Sequence, residues 1–472
     1  MTGWWGVPSS RESWWEKTFG DTEEKAMAMT DDTPAHAPVN DTPDDPVAAI
    51  RHWLEENWDP DLTVAEWWQR LGLAGWSSPM LPTDAFGRGL SRADSVAVMR
   101  EIGAFGALGP PSGLGLLLAA PSIATHGTPE QIDRHVRAIV TGRQAWCQLF
   151  SEPGAGSDLA GLSSRAERDG DEWIVNGQKV WTSLGQTADM GMLIARTNVD
   201  VPKHQGISWM AIDMHQPGVE IRPLVEMTGH AMFNEVFLTD ARVRADDVIS
   251  GVNNGWAVTN TTLQAERAGL GAGGSGGAVG AIPGTVAGQL ERRAGDVAAP
   301  ADPKKAVRRA SGPTRPGNQM LFDFAASEGK LDDDSIRQDL MRLHTLDRIG
   351  MFNGQRLKAM RRAGKDIAGM ANISKLLMSD TVRLTRDLGL RILGASGMLH
   401  AYTDDQREAL NTATGNPMSG MVTGTALYAQ APPIYGGTDQ IQRNIIGERA
   451  LGLPKEPNDD KTTSFADLPR NV

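Results

Sequence analysis

The chain has 472 residues, 40% of them hydrophobic, and carries 46 basic against 58 acidic side chains for a net charge of −12; that length can enclose two or three domains, and the acidic balance excludes a nucleic-acid polyanion as the expected partner. Its single cysteine, Cys147, rules out an intrachain disulfide and reads as core filler in a reducing compartment. No apolar run approaches the ~18 residues of a membrane helix, and the N-terminus lacks the charged-then-apolar order of a secretory signal, so the expectation is a cytoplasmic protein without a membrane span.

Residues 1–44, with two Trp pairs followed by a Pro-, Asp- and Thr-rich stretch, read as a disordered extension. From 45 to 145 the pattern is helical: "PVAAIRHWLEENW", "TVAEWWQRLGLAGW", "SRADSVAVMREIGAFG" and "PEQIDRHVRAIVTG" place apolar residues three or four apart. Thr128, Pro129 and Glu130 form a helix-start signal. Between 146 and 250 the period changes to two, through "AWCQLFSE", "SSRAERDGDEWIVNGQKVWTS", "DMGMLIART", "ISWMAIDM", "GVEIRPL" and "NEVFLTDARVR". Asp169-Gly170 and Asn176-Gly177 are the expected tight turns in this small β domain. Helical pattern returns over 251–456, interrupted by a Pro-, Gly-, Lys- and Arg-rich insertion near 294–318, and residues 457–472 read as a polar tail. The expected fold is mainly α with a central, barrel-like β domain, an N-terminal helical domain and a C-terminal four-helix bundle.

Three stretches carry candidate chemistry. Gly271, Gly273 and Gly276 spell G-x-G-x-x-G but follow a helical run, which argues against a dinucleotide fold and for close helix packing. The nine histidines include no pair at metal-ligand spacing. "FSEPGAGSDLAGL" ends a strand in a glycine turn whose amides, with the Ser157 hydroxyl, suit a phosphate or a planar polar ring. "QKVWTSLG" then sets an aromatic plane beside hydroxyls.

Together with "APPIYGGTDQIQRNIIGERALGLP", these stretches resemble the acyl-CoA dehydrogenase family of flavoproteins over about residues 46–456. The resemblance implies FAD, with Phe150, Ser151, Trp181 and Ser183 around the flavin, Gly156 binding the cofactor from the turn, and Ser157 near the pyrophosphate or the acyl-CoA. Thr438 and Gln440 would meet the cofactor at the start of the last helix. The family reaction needs a carboxylate base, and many members carry Glu where this chain has Gly436; others have Glu-Arg on the first C-terminal helix, matched here by Glu266 and Arg267. Glu266 is therefore the expected base, Gly436 the backbone donor to the thioester oxygen, and Arg267, on the substrate side, either orients the active-site loop or pairs nearby. The family's Arg-x-x-Phe-Gly stretch is missing after the glycine-rich helix, where "LERRAGDVAAP" stands instead. The expected partners are an acyl-CoA, an electron-transfer flavoprotein, and further copies in a homotetramer or a paralogue in a hetero-oligomer. The alternative is a non-catalytic partner subunit of such a hetero-oligomer.

Overall fold

A computed structural model describes residues 45–270, 281–298, 319–365, 367, 369–457 and 460–469, without the side chains of 267–270. The extension 1–44, the glycine triplet from Gly271, the insertion beyond residue 298 and the side chain of Arg267 lie outside the described residues. As expected from the sequence, the molecule is mainly helical around one central sheet.

The first domain begins with α1 (Pro46–Asn57), whose first amides are capped by Asp45, and α2 (Val64–Leu73), opened by a reciprocal Thr63–Glu66 capping box. The helical period of α2 turns Trp67 and Trp68 inward, where neither is exposed. Each buried indole donates to a backbone carbonyl, Leu108 at 2.7 Å and Gly109 at 2.8 Å, so this burial leaves no orphan donor. α3 (Arg92–Phe105) is capped by Ser91 and stops at Gly106, φ 87°. Gly115–Ala119 forms a π-turn that runs into α4 (Ala120–His126), and residues 129–140 make up α5.

The sheet has the order β6 (Val219–Leu224), β7 (Phe233–Arg244), β3 (Glu172–Ser183), β2 (Arg165–Asp169), β4 (Met190–Arg196), β5 (Ile207–Asp213), β8 (Val248–Ile249), with β1 (Trp146–Leu149) parallel to β4 off that path. β2 and β3 form a hairpin whose turn uses Gly170 at φ 57°. The expected turn at Asn176-Gly177 is corrected: both residues lie inside β3 at a register shift against β7. Glycine is required there by space, because a Cβ on Gly177 would fall 2.2 Å from Ser164 Oγ. β5, β6 and β8 complete the sheet. Cys147 sits wholly in its core, and burial pushes the thiol up to about 12, beyond reach as a nucleophile.

α6 (Gly255–Leu270) is wedged between the two domains, touching α4 and β5. Residues 281–298 run back along the first domain, where Val64 and Ala65 donate to the Arg292 and Leu290 carbonyls, and Thr285 N–H binds the buried carboxylate of Asp189. The C-terminal helices are α7 (Gln319–Ser327), α8 (Asp334–Arg362), α9 (Met370–Leu393), α10 (Asp404–Thr414), α11 (Ser419–Tyr428) and α12 (Asp439–Ile445). Their core joins Leu321, Phe324, Leu340, Leu388, Ile392 and Val422. No helix among the described residues is long and apolar enough to cross a membrane.

Candidate active site

The glycine turn after β1 is built around Glu152. Glu152 and Ala155 exchange both backbone hydrogen bonds, 3.0 and 3.1 Å, and fold Pro153-Gly154 into a tight loop. The Glu152 side chain turns inward, accepting from Lys179 Nζ at 2.8 Å, Ser163 N–H at 2.7 Å and Ser164 N–H at 2.9 Å. Lys179 is itself fully buried and also donates to the Phe150 carbonyl at 3.2 Å. Burial raises the Glu152 carboxyl, but Lys179 and the seryl donors overcome that and hold it at about 2. A second hook comes from Val180 N–H, which binds the Ser151 carbonyl at 2.9 Å. The outer side of the loop is open: a Cβ on Gly154 or Gly156 would meet nothing within 4 Å. Among the described residues, the N–H groups of Gly154, Gly156 and Ser157 and the Ser157 hydroxyl engage no acceptor. Three amides and a hydroxyl on one exposed turn make a donor set that suits an anion.

β3 delivers the aromatic plane beside this loop. Its pairing with β7 shifts between Lys179 and Thr182, and Trp181 is held there at φ 62° with 56% of its surface exposed. Left-handed backbone is unfavourable for a bulky side chain, and an indole in that state kept in solvent is a conformation the surrounding sheet must impose. Phe233 meets it edge-on at 5.8 Å, Leu184 is exposed at φ 56°, and Ser183 stands half-buried between Trp181 and Leu184. Thr182 points the other way, buried, and among the described residues its Oγ1 has no partner. An exposed flat indole next to a hydroxyl and a donor loop fits a planar ring that carries phosphate. Phe150, in contrast, is only 4% exposed in the apolar core, so only its backbone can face a ligand.

The last loop shows why two glycines stand there. Gly436 and Gly437 adopt φ 63° and 84°, left-handed values that a β-carbon resists. Gln442 Nε2 gathers both of their carbonyls, at 2.9 and 3.2 Å, while its Oε1 accepts from Asn372 on α9 at 2.6 Å. Thr438 caps α12 by accepting from Ile441 N–H, and Gln440 is exposed on its first turn. Asp439 is buried and anchored to α9 by Lys375 at 3.0 Å, Ser379 at 2.7 Å and Arg383 at 2.5 Å. Among the described residues Gly436 N–H engages no acceptor and remains a donor. Gly437→Ala is expected to lower stability by about 1–2 kcal/mol, because the added carbon would also meet Gln442 Nε2 at 2.6 Å. Thermal unfolding compared with Gln442→Ala tests this, and an unchanged midpoint in Gly437→Ala contradicts it.

Glu266 stands half-buried on α6, one turn beyond the inward stripe of Val258, Thr259 and Thr262. That helix is pinned by Ser122–Thr262 and His126–Thr261 hydrogen bonds, each 2.8 Å, and Gly255 lies so close to Ser208 that a Cβ would fall 2.4 Å from its carbonyl carbon. The structure therefore gathers Phe150, Ser151, Gly156, Ser157, Trp181 and Ser183 around one loop and strand. It groups Gly436, Thr438 and Gln440 on a second loop bonded to α9, and sets Glu266 on the helix packed against β5. In the stretch that stands where the family has Arg-x-x-Phe-Gly, the Arg293 guanidinium pairs with Asp61 and Asp296.

Lys179, Glu152 and Asp439, the groups that fix both loops, lie outside the motif residues named from the sequence. A lysine in the middle of an apolar strand, and acids flanking the glycine turns, were the available signals.

Three family models match in register with these substructures: the acyl-CoA dehydrogenase N-terminal domain over 42–143, its middle domain over 147–241 and its C-terminal domain over 304–451. The acyl-CoA dehydrogenase IpdE1 of Mycobacterium tuberculosis (strain ATCC 25618 / H37Rv) is 35% identical over 435 residues, covering 87% of this chain and 97% of that protein. Among solved structures, the ChsE4-ChsE5 complex from Mycobacterium tuberculosis is similar with a TM-score of 0.58 and 25% identity, covering 89% of this chain and 100% of that one. The Tcur3481-Tcur3483 steroid ACAD shares the fold, with a TM-score of 0.61 at 23% identity, covering 87% and 97%. Domain order, loop chemistry and these likenesses agree that the chain belongs to the acyl-CoA dehydrogenase family, oxidoreductases that act on CH–CH bonds.

Proposed function

We propose that this chain is a cytoplasmic, FAD-dependent acyl-CoA dehydrogenase that converts an acyl-CoA thioester to its trans-2-enoyl-CoA, with electrons leaving to an electron-transfer flavoprotein. The observation that carries the reading is Trp181, strained and exposed beside a loop of unengaged amides. When bound, FAD supplies the acceptor for the hydride lost from the β-carbon. Trp181 and Ser183 would face its ring together with the backbone of Phe150 and Ser151. Gly156 and Ser157 amides would hold the pyrophosphate, with Thr438 and Gln440 meeting the cofactor from the last loop. Glu266 takes the α-proton: that C–H pair remains on carbon as the new π bond while the β C–H pair departs. Gly436 N–H donates to the thioester oxygen, so the negative charge that grows there meets a fixed dipole. Ser157 and Arg267 are assigned to the substrate side of the site.

A second reading, a non-catalytic partner subunit, draws on α8. Its buried residues are confined to Ile336, Leu340 and Leu343, while Met341, Ile349 and Phe352, which share the opposite face, are 49%, 44% and 58% exposed. Such a face suits another subunit, in a homotetramer or with a paralogue. One preparation separates the readings. The enzyme is expected to purify yellow and to bleach anaerobically on titration with acyl-CoA, bulky or branched chains bleaching it faster than short straight ones because Gly436 puts no side chain near the reacting carbons. Colourless protein that gains FAD only with a second polypeptide supports the partner reading, and equal rates across the panel remove the argument from Gly436.

A further inference from the structure

The C-terminal segment lies beyond residue 451, where the family match ends, yet it is bonded to the sheet. Phe465 N–H donates to the Val201 carbonyl at 2.9 Å and Ala466 N–H to Val199 at 3.0 Å, on the β4–β5 connection. Lys203, in the same connection, shares its nearly buried ammonium between Asp460 at 2.7 Å and Asp158 at 2.9 Å. The Phe465 ring covers the Arg196 guanidinium at 3.7 Å. Arg196 is only 2% exposed and donates to the carbonyls of Ala160 at 2.6 Å, Leu162 at 3.2 Å, and Lys203.

Two of these contacts, Phe465 on Arg196 and Asp460 on Lys203, are one side chain away from the donor loop. Asp158 directly follows Ser157, and Ala160 and Leu162 form the loop's return leg. Among the described residues Arg196 bonds only backbone carbonyls: Nη2 holds that leg and Nη1 holds Lys203, so one planar group ties the loop to the β4–β5 connection. Phe465 then shields the cation from water and holds its plane, a cation–π contact that gains strength when desolvated. Lys203 closes the other end, because two carboxylates, one from the loop and one from the tail, share a single cation.

We propose that residues 460–468 form a strap that sets the conformation of the loop 153–162, with Phe465, Arg196 and Lys203 as positioning residues for the anion bound there. The identity of that anion, the pyrophosphate of FAD, rests on the function proposed above; the strap itself rests on the contacts just given. A loop that keeps its binding conformation a tenth of the time binds about tenfold more weakly.

The test compares the full chain with Phe465→Ala, Phe465→Tyr and a chain ending at Pro457, in two measurements. Amide hydrogen exchange across 154–163 reports the loop in apo protein, and fluorescence titration gives the FAD dissociation constant. Phe465→Ala and the shortened chain are expected to exchange faster in this loop, with the exchange of α2 and α9 unchanged, and to bind FAD about tenfold more weakly. Phe465→Tyr, and a synthetic peptide of residues 458–472 added to the shortened chain, are expected to restore both. Loop exchange unchanged in Phe465→Ala overturns the strap, whether or not the shortened chain folds. Faster loop exchange with an unaltered FAD constant overturns the positioning role. A full chain that binds no FAD at all defeats the cofactor reading instead, and the exchange measurement still decides the strap.

Discussion

Glu266→Gln is expected to keep FAD bound and to lose the bleaching of flavin absorbance by acyl-CoA, with turnover reduced by ~10²–10⁴-fold, the usual contribution of a positioned general base. The substitution keeps the volume and removes the one property the reaction needs, a basic oxygen at neutral pH. Folding should tolerate it. The helix is held by contacts upstream of residue 266: the buried Val258 and the hydrogen bonds of Thr261 and Thr262 to His126 and Ser122. The readout that separates a catalytic from a structural role is the split between cofactor and chemistry: unchanged FAD content and melting temperature beside a collapsed kcat. Turnover retained within a few-fold of the wild type removes Glu266 from the mechanism. A loss of both FAD and fold would assign it to packing instead.

What was legible in the sequence is what depends on local pattern. Alternation and helical period marked the strands and most helices, because each amphipathic element writes its buried face into its own residues. The helix Ala120–His126 was not legible. Pro121 stands in its first turn and a π-turn precedes it, so the stretch lacks the regular i, i+4 signal. Gly177 misled for a related reason. Asn-Gly is a turn signal only when nothing else requires glycine, and here the requirement comes from Ser164 on a neighbouring segment. The loops of the site were readable as motifs, but not what holds them. Lys179 with Glu152, Asp439 with Lys375 and Arg383, and Asp460 with Lys203 join residues 27 to 257 positions apart. Such pairings are chosen by the tertiary fold, and no local period records them. The tail reads as polar surface because its two hooks, Asp460 and Phe465, look like ordinary tail residues until Lys203 and Arg196 are placed beneath them.

Lys179→Met should be among the most destabilising single substitutions, costing about 3–5 kcal/mol, since it removes one partner of a buried ion pair and leaves the other uncompensated. Methionine fills the space of the lysine stem, so the effect isolates the charge. Glu152 would then face burial with only the Ser163 and Ser164 donors to stabilise its anion. The pH dependence has a definite sign. In the folded protein the Glu152 carboxyl lies at about 2, below its ordinary 4.5. A depressed carboxyl stabilises the fold fully above its unfolded value and loses that contribution as pH falls from 4.5 towards 2. Wild-type stability should therefore decline across that window, and in Lys179→Met the carboxyl should protonate at higher pH. Pairing the substitution with Glu152→Gln discriminates further, because the amide keeps an acceptor for the seryl amides while carrying no charge. The double variant should be more stable than the sum of the single losses by about 0.5–3 kcal/mol, measured by denaturant unfolding at pH 7. Strict additivity would mean the two groups do not sense each other, and the loop would need another anchor. Because Glu152 is the point from which the donor turn hangs, loss of FAD in Lys179→Met is expected at a lower denaturant concentration than loss of helix signal, with the cofactor leaving as the turn loosens.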